Sequence, residues 1–255
     1  MKNPLQKIAP LCILGFDGTT VPSYLKKLIT ENQLAGVILF KRNIESKEQV
    51  KALNEEFQSL NPQIPLLISV DHEGGRVFRL PPPFTQIGTA RSITEACLKE
   101  PNTAFETGAL MGRELNEVGF NLNYAPVLDV DSNPANPIIG DRSYGCDPQT
   151  VSKIALELVR GLRSQGIIPC GKHFPGHGDT ALDSHLALPY VEQDLDRLES
   201  IELPPFQAAV DANIEMLMTA HVMYPVLDDQ NPATLSYQII TQLLRQKMGY
   251  DGVVI

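Results

Sequence analysis

One pattern recurs along this chain and limits what it can fold into: a short apolar run, a polar loop, then a stretch with helical spacing. The apolar runs are Pro10–Gly15, Gly36–Phe40, Pro65–Val70, Phe120–Pro126, Gly166–Gly171, Met216–Ala220 and Gly252–Ile255. Helical spacing covers Tyr24–Gln33, Lys47–Leu60, Ala104–Val118, Pro148–Gln165, Pro204–Ala212 and Tyr237–Lys247. Strands separated by helices predict a parallel sheet, because a parallel pair needs a crossover about as long as a helix. Two architectures fit, a (β/α)8 barrel and an open doubly wound sheet. The strand ends favour the barrel. Asp17, Arg42, Asp71, Asp129, His173 and His221 each stand at or just past a run. An open sheet gathers its site at one switch point, whereas a barrel spreads it over a ring of strand ends. The expected fold is therefore an α/β TIM barrel cut after its seventh strand. It would be a single domain over 1–255, incomplete at the C-terminal end.

The densest polar stretch is Lys172–Thr180, followed by Asp183-Ser184-His185. Gly176 and Gly178 break any helix and Pro175 removes a backbone donor, so the stretch reads as a loop. His173 and His177, with Asp183 or His185, could ligate a metal. Zinc ligands at that spacing usually share a helical face, however, and the glycines deny that helix. General acid–base chemistry suits the pattern better. Asp183 and His185 flank Ser184 and can point the same way on an extended or turned backbone. A carboxylate beside an imidazole fixes its tautomer and raises its basicity. Ser184 lacks the Gly-x-Ser-x-Gly elbow of a nucleophile and reads as a turn or capping residue.

Lys-His-Phe-Pro-Gly-His-Gly-Asp-Thr followed by Asp-Ser-His resembles the signature of family 3 glycoside hydrolases. Within that family it is similar to the bacterial β-N-acetylglucosaminidases, also called β-N-acetylhexosaminidases. The resemblance implies a barrel and a retaining hydrolase of terminal N-acetylglucosamine on peptidoglycan fragments, without a cofactor or metal. It implies that His185 is the proton donor and acceptor and that Asp183 orients it. It also implies sugar binding by Asp71, Arg79, Arg142 and the Lys172-His173 pair. His72 stands where many members have Gln, so its role stays open, as does that of His177. In the family, the segment resembling Asp251–Ile255 runs on into a Ser and the nucleophilic Asp. The chain therefore reads as C-terminally truncated relative to the family, with the nucleophile just past Ile255. A family 3 β-glucosidase, a metal-dependent barrel hydrolase and a catalytically inactive sugar-binding protein remain as alternatives.

The chain carries 21 Lys and Arg against 30 Asp and Glu, a net charge of -9, with no basic run. That argues against a nucleic-acid or anionic-membrane partner. The apolar run Leu11–Phe16 is too short for a signal segment or a membrane span. Cys12, Cys97, Cys146 and Cys170 form no CxxC pair, which fits free thiols and a cytoplasmic location. Against this acidity, Arg79, Arg142 and Lys172 would give a local positive mouth for the carboxylates of a peptidoglycan fragment. Plainer roles compete. Asp71 could pair with Arg76, and Asp129 and Asp131 could hold their loop to Arg142. His221 could line the pocket or simply cap its strand. Nothing in the residues bears on oligomeric state.

Overall fold

A computed structural model of the chain describes residues 4–61, 63–181 and 188–255. Its centre is one parallel sheet of seven strands in sequence order: β1 (Ile13–Leu14), β2 (Gly36–Leu39), β3 (Leu67–Val70), β4 (Leu122–Asn123), β5 (Ile168–Phe174), β6 (Met216–Thr219) and β7 (Val253–Val254). Each strand pairs in parallel with the next. Monotonic order is the barrel arrangement; an open doubly wound sheet reverses order at its switch point.

Two apolar layers follow from the alternation of side chains along a strand. The smaller lies inside the curved sheet. It is built from Leu122, Tyr124, Cys170 and Met216, with Ile13, Ile38, Leu67, Ile168, Met218 and Ile255 packed against them. Every strand or its immediate flank contributes, at two-residue intervals. The larger layer lies between the sheet and the helices and includes Leu25, Val37, Val50, Phe57, Met111, Leu158 and Phe206. Two of those helices, Thr103–Glu117 and Pro148–Ser164, press together at Gly108 and Gly161. A Cβ on Gly161 would stand 2.3 Å from the Phe105 carbonyl oxygen, so only glycine allows that approach.

The expected elements are present, with ends shifted by a residue or more. One shift bears on the site. Lys172 and His173 belong to β5 rather than to a loop, because Lys172 keeps pairing with Met218, and its carbonyl accepts from the Leu128 N–H at 2.6 Å. A register irregularity between Lys172 and Phe174 ends the ladder. The region after β3, which contains Pro81, Pro82 and Pro83 and shows no helical spacing in the sequence, holds a helix, Ala90–Cys97. Thr89 caps it by accepting from the Ser92 N–H, and Ala90 and Ile93 are buried. Among the described residues no helix is long and apolar enough to cross a membrane.

Candidate active site

A cleft of about 420 Å³ opens at the C-terminal ends of β3, β5, β6 and β7. The strands set its floor. Asp71 follows β3 directly, Lys172 and His173 end β5, and Arg142 arrives on the turn Gly140–Arg142. Lys172 is almost wholly buried and its ammonium lies 2.7 Å from Asp71 Oδ1 and 2.5 Å from Glu73 Oε1. Arg142 donates to both Glu73 oxygens, Nε to Oε2 and a terminal nitrogen to Oε1, each at 2.8 Å. Burial alone would raise the Glu73 carboxyl, but Lys172 and Arg142 outweigh it and bring it down to about 2. Burial likewise opposes the charge on Lys172, and Glu73 with Asp71 reverses that and raises it. Asp71, with 22% of its side chain exposed, is the carboxylate that faces the open cleft.

Glu73 is the residue that sequence reasoning missed. A second carboxylate two positions after Asp71 was its only signal. The same network removes two expectations. Arg142 pairs with Glu73, so Asp129 and Asp131 do not hold it; Asp131 pairs with Arg91 at 2.8 Å instead. Arg76 does not pair with Asp71, because its guanidinium donates to the carbonyls of Pro137, Ile138 and Ile139.

Asp129 is fully buried beneath the turn after β5. It accepts from the His177 N–H at 2.6 Å and from the His173 N–H at 3.2 and 3.3 Å, and its Oδ2 lies 2.6 Å from His173 Nδ1. Burial would raise this carboxyl, but His173 and the His177 N–H outweigh it and hold it below the usual range. An ionised Asp129 can only accept, so His173 Nδ1 carries the proton. His177 Nδ1 lies 2.7 Å from Thr180 Oγ1, and burial pushes this imidazole down. Asn136 pins the turn by donating to the His177 and Gly178 carbonyls at 2.8 and 2.9 Å. At Gly178 a Cβ would stand 1.6 Å from the Val130 carbonyl oxygen, so glycine is required there.

Arg79 lines the cleft, and its Nε is buried with no protein partner among the described residues. Behind it, His72 is fully buried against Phe78, and neither ring nitrogen has a partner among those residues. Burial, aided by the Arg79 charge, pushes His72 down to about 4. His221 lines the cleft rather than only closing its strand, with Nδ1 2.7 Å from Thr234 Oγ1. Asp17 and Arg42 pair at 2.8 Å on the surface and do not line the cleft.

The structure thus brings Asp71, Arg79, Arg142, Lys172 and His173 to one cleft. Asp183 and His185 lie outside the described residues. For the metal reading, Asp129 occupies His173 Nδ1. No group of three His, Cys, Asp or Glu among the described residues is placed to hold an ion.

Fold and cleft together define a parallel α/β barrel-type protein with a charged site at its strand ends. The chain belongs to glycosyl hydrolase family 3, whose N-terminal domain matches residues 6–255. It is 39% identical to beta-hexosaminidase A of Pseudoalteromonas piscicida, covering 93% of this chain and 43% of that protein. It is similar to a family 3 beta-N-acetylglucosaminidase from a Paenibacillus species, with a TM-score of 0.94 and 42% identity over 100% of this chain and 49% of the other. It is also similar to NagZ from Neisseria gonorrhoeae in complex with N-trifluoroacetyl-D-glucosamine, with a TM-score of 0.88 and 36% identity over 95% of this chain and 72% of the other. The chain therefore spans less than half of the first two proteins and nearly three quarters of the third.

Proposed function

We propose that this chain forms the barrel of a retaining exo-β-N-acetylglucosaminidase. Its substrates would be peptidoglycan fragments, released from the cell wall and processed in the cytoplasm. The observation that carries the reading is the Asp71–Lys172–Glu73–Arg142 network. It holds an open carboxylate and a buried ammonium side by side at the strand ends, where vicinal sugar hydroxyls can meet an acceptor and a donor together. Arg79 and His173 would complete the grip on the terminal sugar.

In the first step the Asp carboxylate expected past Ile255 attacks the anomeric carbon, and the glycosidic C–O bond breaks. His185, oriented by Asp183, delivers a proton to the leaving oxygen. In the second step His185 takes a proton from water, and the resulting hydroxide displaces the carboxylate. An imidazole suits both halves because it titrates near neutrality. Ile255 lines the cleft, which supports a nucleophile next to it in the chain.

His185→Ala in the complete protein tests this. General acid–base help is typically worth about 10²–10⁴-fold. Hydrolysis of substrates with poor leaving groups should fall by that order, while a nitrophenyl glycoside, whose leaving group needs no proton, should lose less in its first step. Azide, a nucleophile that needs no base, should partly restore turnover of the nitrophenyl glycoside. Equal losses on good and poor leaving groups, with no azide effect, would make His185 structural. Absence of any glycosidase activity, with sugar binding retained, would favour the inactive sugar-binding protein.

A further inference from the structure

The charged floor of the cleft is built from β3, β5 and the Arg142 turn. The β6 side is different: Met218, Ala220 and Ile255 are apolar there, and its polar groups are His221 and the hydroxyls of Thr219 and Thr234. His221 is exposed, and its Nδ1 is tied to Thr234. The hydrogen bonds around Thr234 fix what the other ring nitrogen can do.

Thr234 Oγ1 has one hydrogen and three close neighbours. These are the Ala220 carbonyl oxygen at 3.0 Å, Thr219 Oγ1 at 3.1 Å and His221 Nδ1 at 2.7 Å. A carbonyl oxygen can only accept, so the Thr234 hydrogen goes to Ala220. The Thr219 hydroxyl can donate either to Thr234 or to the Ile255 carbonyl at 3.3 Å. His221 Nδ1 must then be the donor to Thr234. The opposite arrangement would press the Thr234 and Ala220 oxygens together with no hydrogen between them. In a neutral imidazole only one nitrogen carries a proton, so Nε2 is a bare lone pair.

We propose that His221 is a substrate-binding residue whose Nε2 accepts a hydrogen bond from a sugar hydroxyl, held in that tautomer by Thr234. This rests on the glycosidase reading only for the identity of the ligand. A bare lone pair repels carboxylates and phosphates, so the group recognised there is a neutral donor. That hydroxyl could belong to the terminal sugar or to the residue it is released from.

Nitrogen-15 spectra of histidine-labelled complete protein test the tautomer without any turnover. The expected result is a protonated Nδ1 and a bare Nε2 for His221, with Thr234→Val abolishing the preference. A dominant Nε2–H tautomer in the unsubstituted protein would overturn the proposal. Free N-acetylglucosamine should shift the Nε2 resonance if the hydroxyl is on the terminal sugar. A response only to a β-linked disaccharide places it on the leaving residue. No response to either sugar would overturn the proposal. Kinetics with the same disaccharide give the third readout. Loss of one neutral hydrogen bond predicts roughly a two- to tenfold rise in KM for His221→Ala. His221→Gln, which keeps an acceptor near Nε2, should recover most of that loss; an unchanged KM in His221→Ala would sink the assignment. Failure of the unsubstituted protein to cleave any glycoside would instead count against the hydrolase reading, while the tautomer measurement still decides the role of His221.

Discussion

Lys172 and Glu73 meet at 2.5 Å on the floor of the cleft, and Arg142 grips the same carboxylate from another direction. Glu73 is thus the anion shared by the buried Lys172 ammonium and the partly buried Arg142 guanidinium. Asp71 shares Lys172 but keeps its own face open to the cleft.

Removing the Glu73 charge should therefore act on stability first. Glu73→Gln keeps the shape, leaves Arg142 without its counter-charge and leaves Lys172 with Asp71 alone. Breaking a buried ion pair from one side costs about 3–5 kcal/mol. A clear fall in the unfolding midpoint in urea is expected, with a raised KM for a β-N-acetylglucosaminide. An unchanged midpoint would show that the two cations find other partners.

Asp71 and Arg79 should behave in the opposite sense. Neither supports the fold as Glu73 does, since Asp71 is open to the cleft and Arg79 lines it. Asp71→Ala and Arg79→Ala should lower kcat/KM by roughly ten- to a hundredfold each, the worth of one charged hydrogen-bond partner, with little change in unfolding midpoint. Lys172→Ala should lose both activity and stability. Unchanged kcat/KM in all three variants would remove these residues from the sugar-binding set.

Stability should fall with pH in two windows. His72 sits at about 4 in the fold against an ordinary 6.5, so the unfolded chain takes up a proton first. The stability this gives is complete above about pH 6.5 and is lost as the pH falls to about 4; at about 1.4 kcal/mol per unit it is on the order of 3 kcal/mol. Glu73 acts lower, its contribution holding above the ordinary 4.5 and disappearing as the pH falls to about 2; Asp129 works in the same direction. Urea unfolding of His72→Gln should be flatter in the upper window, with the remaining slope coming from His177. Identical profiles for the two proteins would mean that His72 is not held neutral.

Asp129→Asn tests the turn. The amide can still accept through one oxygen, but its NH2 would face either the His173 ring or a backbone N–H, all of which need an acceptor. The expected outcome is a change of tautomer or orientation at His173, visible by nitrogen-15 NMR, and a loss in kcat/KM of about ten- to a hundredfold. A silent substitution in both readouts would make Asp129 a bystander.

The sheet order was legible because each strand is an apolar run followed by a polar end, and that signal is local. Asp71, Arg79, Arg142, Lys172 and His173 were legible through their motifs, and the structure brings all five to the same cleft. What could not be read was pairing across distance. Glu73 with Arg142 spans 69 positions and His173 with Asp129 spans 44, and nothing in either segment names its partner. The alternative in which Asp129 and Asp131 hold their loop to Arg142 failed for that reason. The helix Ala90–Cys97 was hidden by the prolines that precede it, although Thr89 and Ser92 marked its start.

Asp129 also decides how portable the motif is. The turn from His173 to His177 gets its shape from an acceptor on the loop after β4, and Gly178 lies against the Val130 carbonyl of that same loop. A graft of residues 172–180 into a foreign barrel would carry the letters of the signature without its conformation. The transplantable unit is the pair of neighbouring strand ends, and a protein engineer or a homology search that treats the signature as self-contained would be copying half of a two-part device.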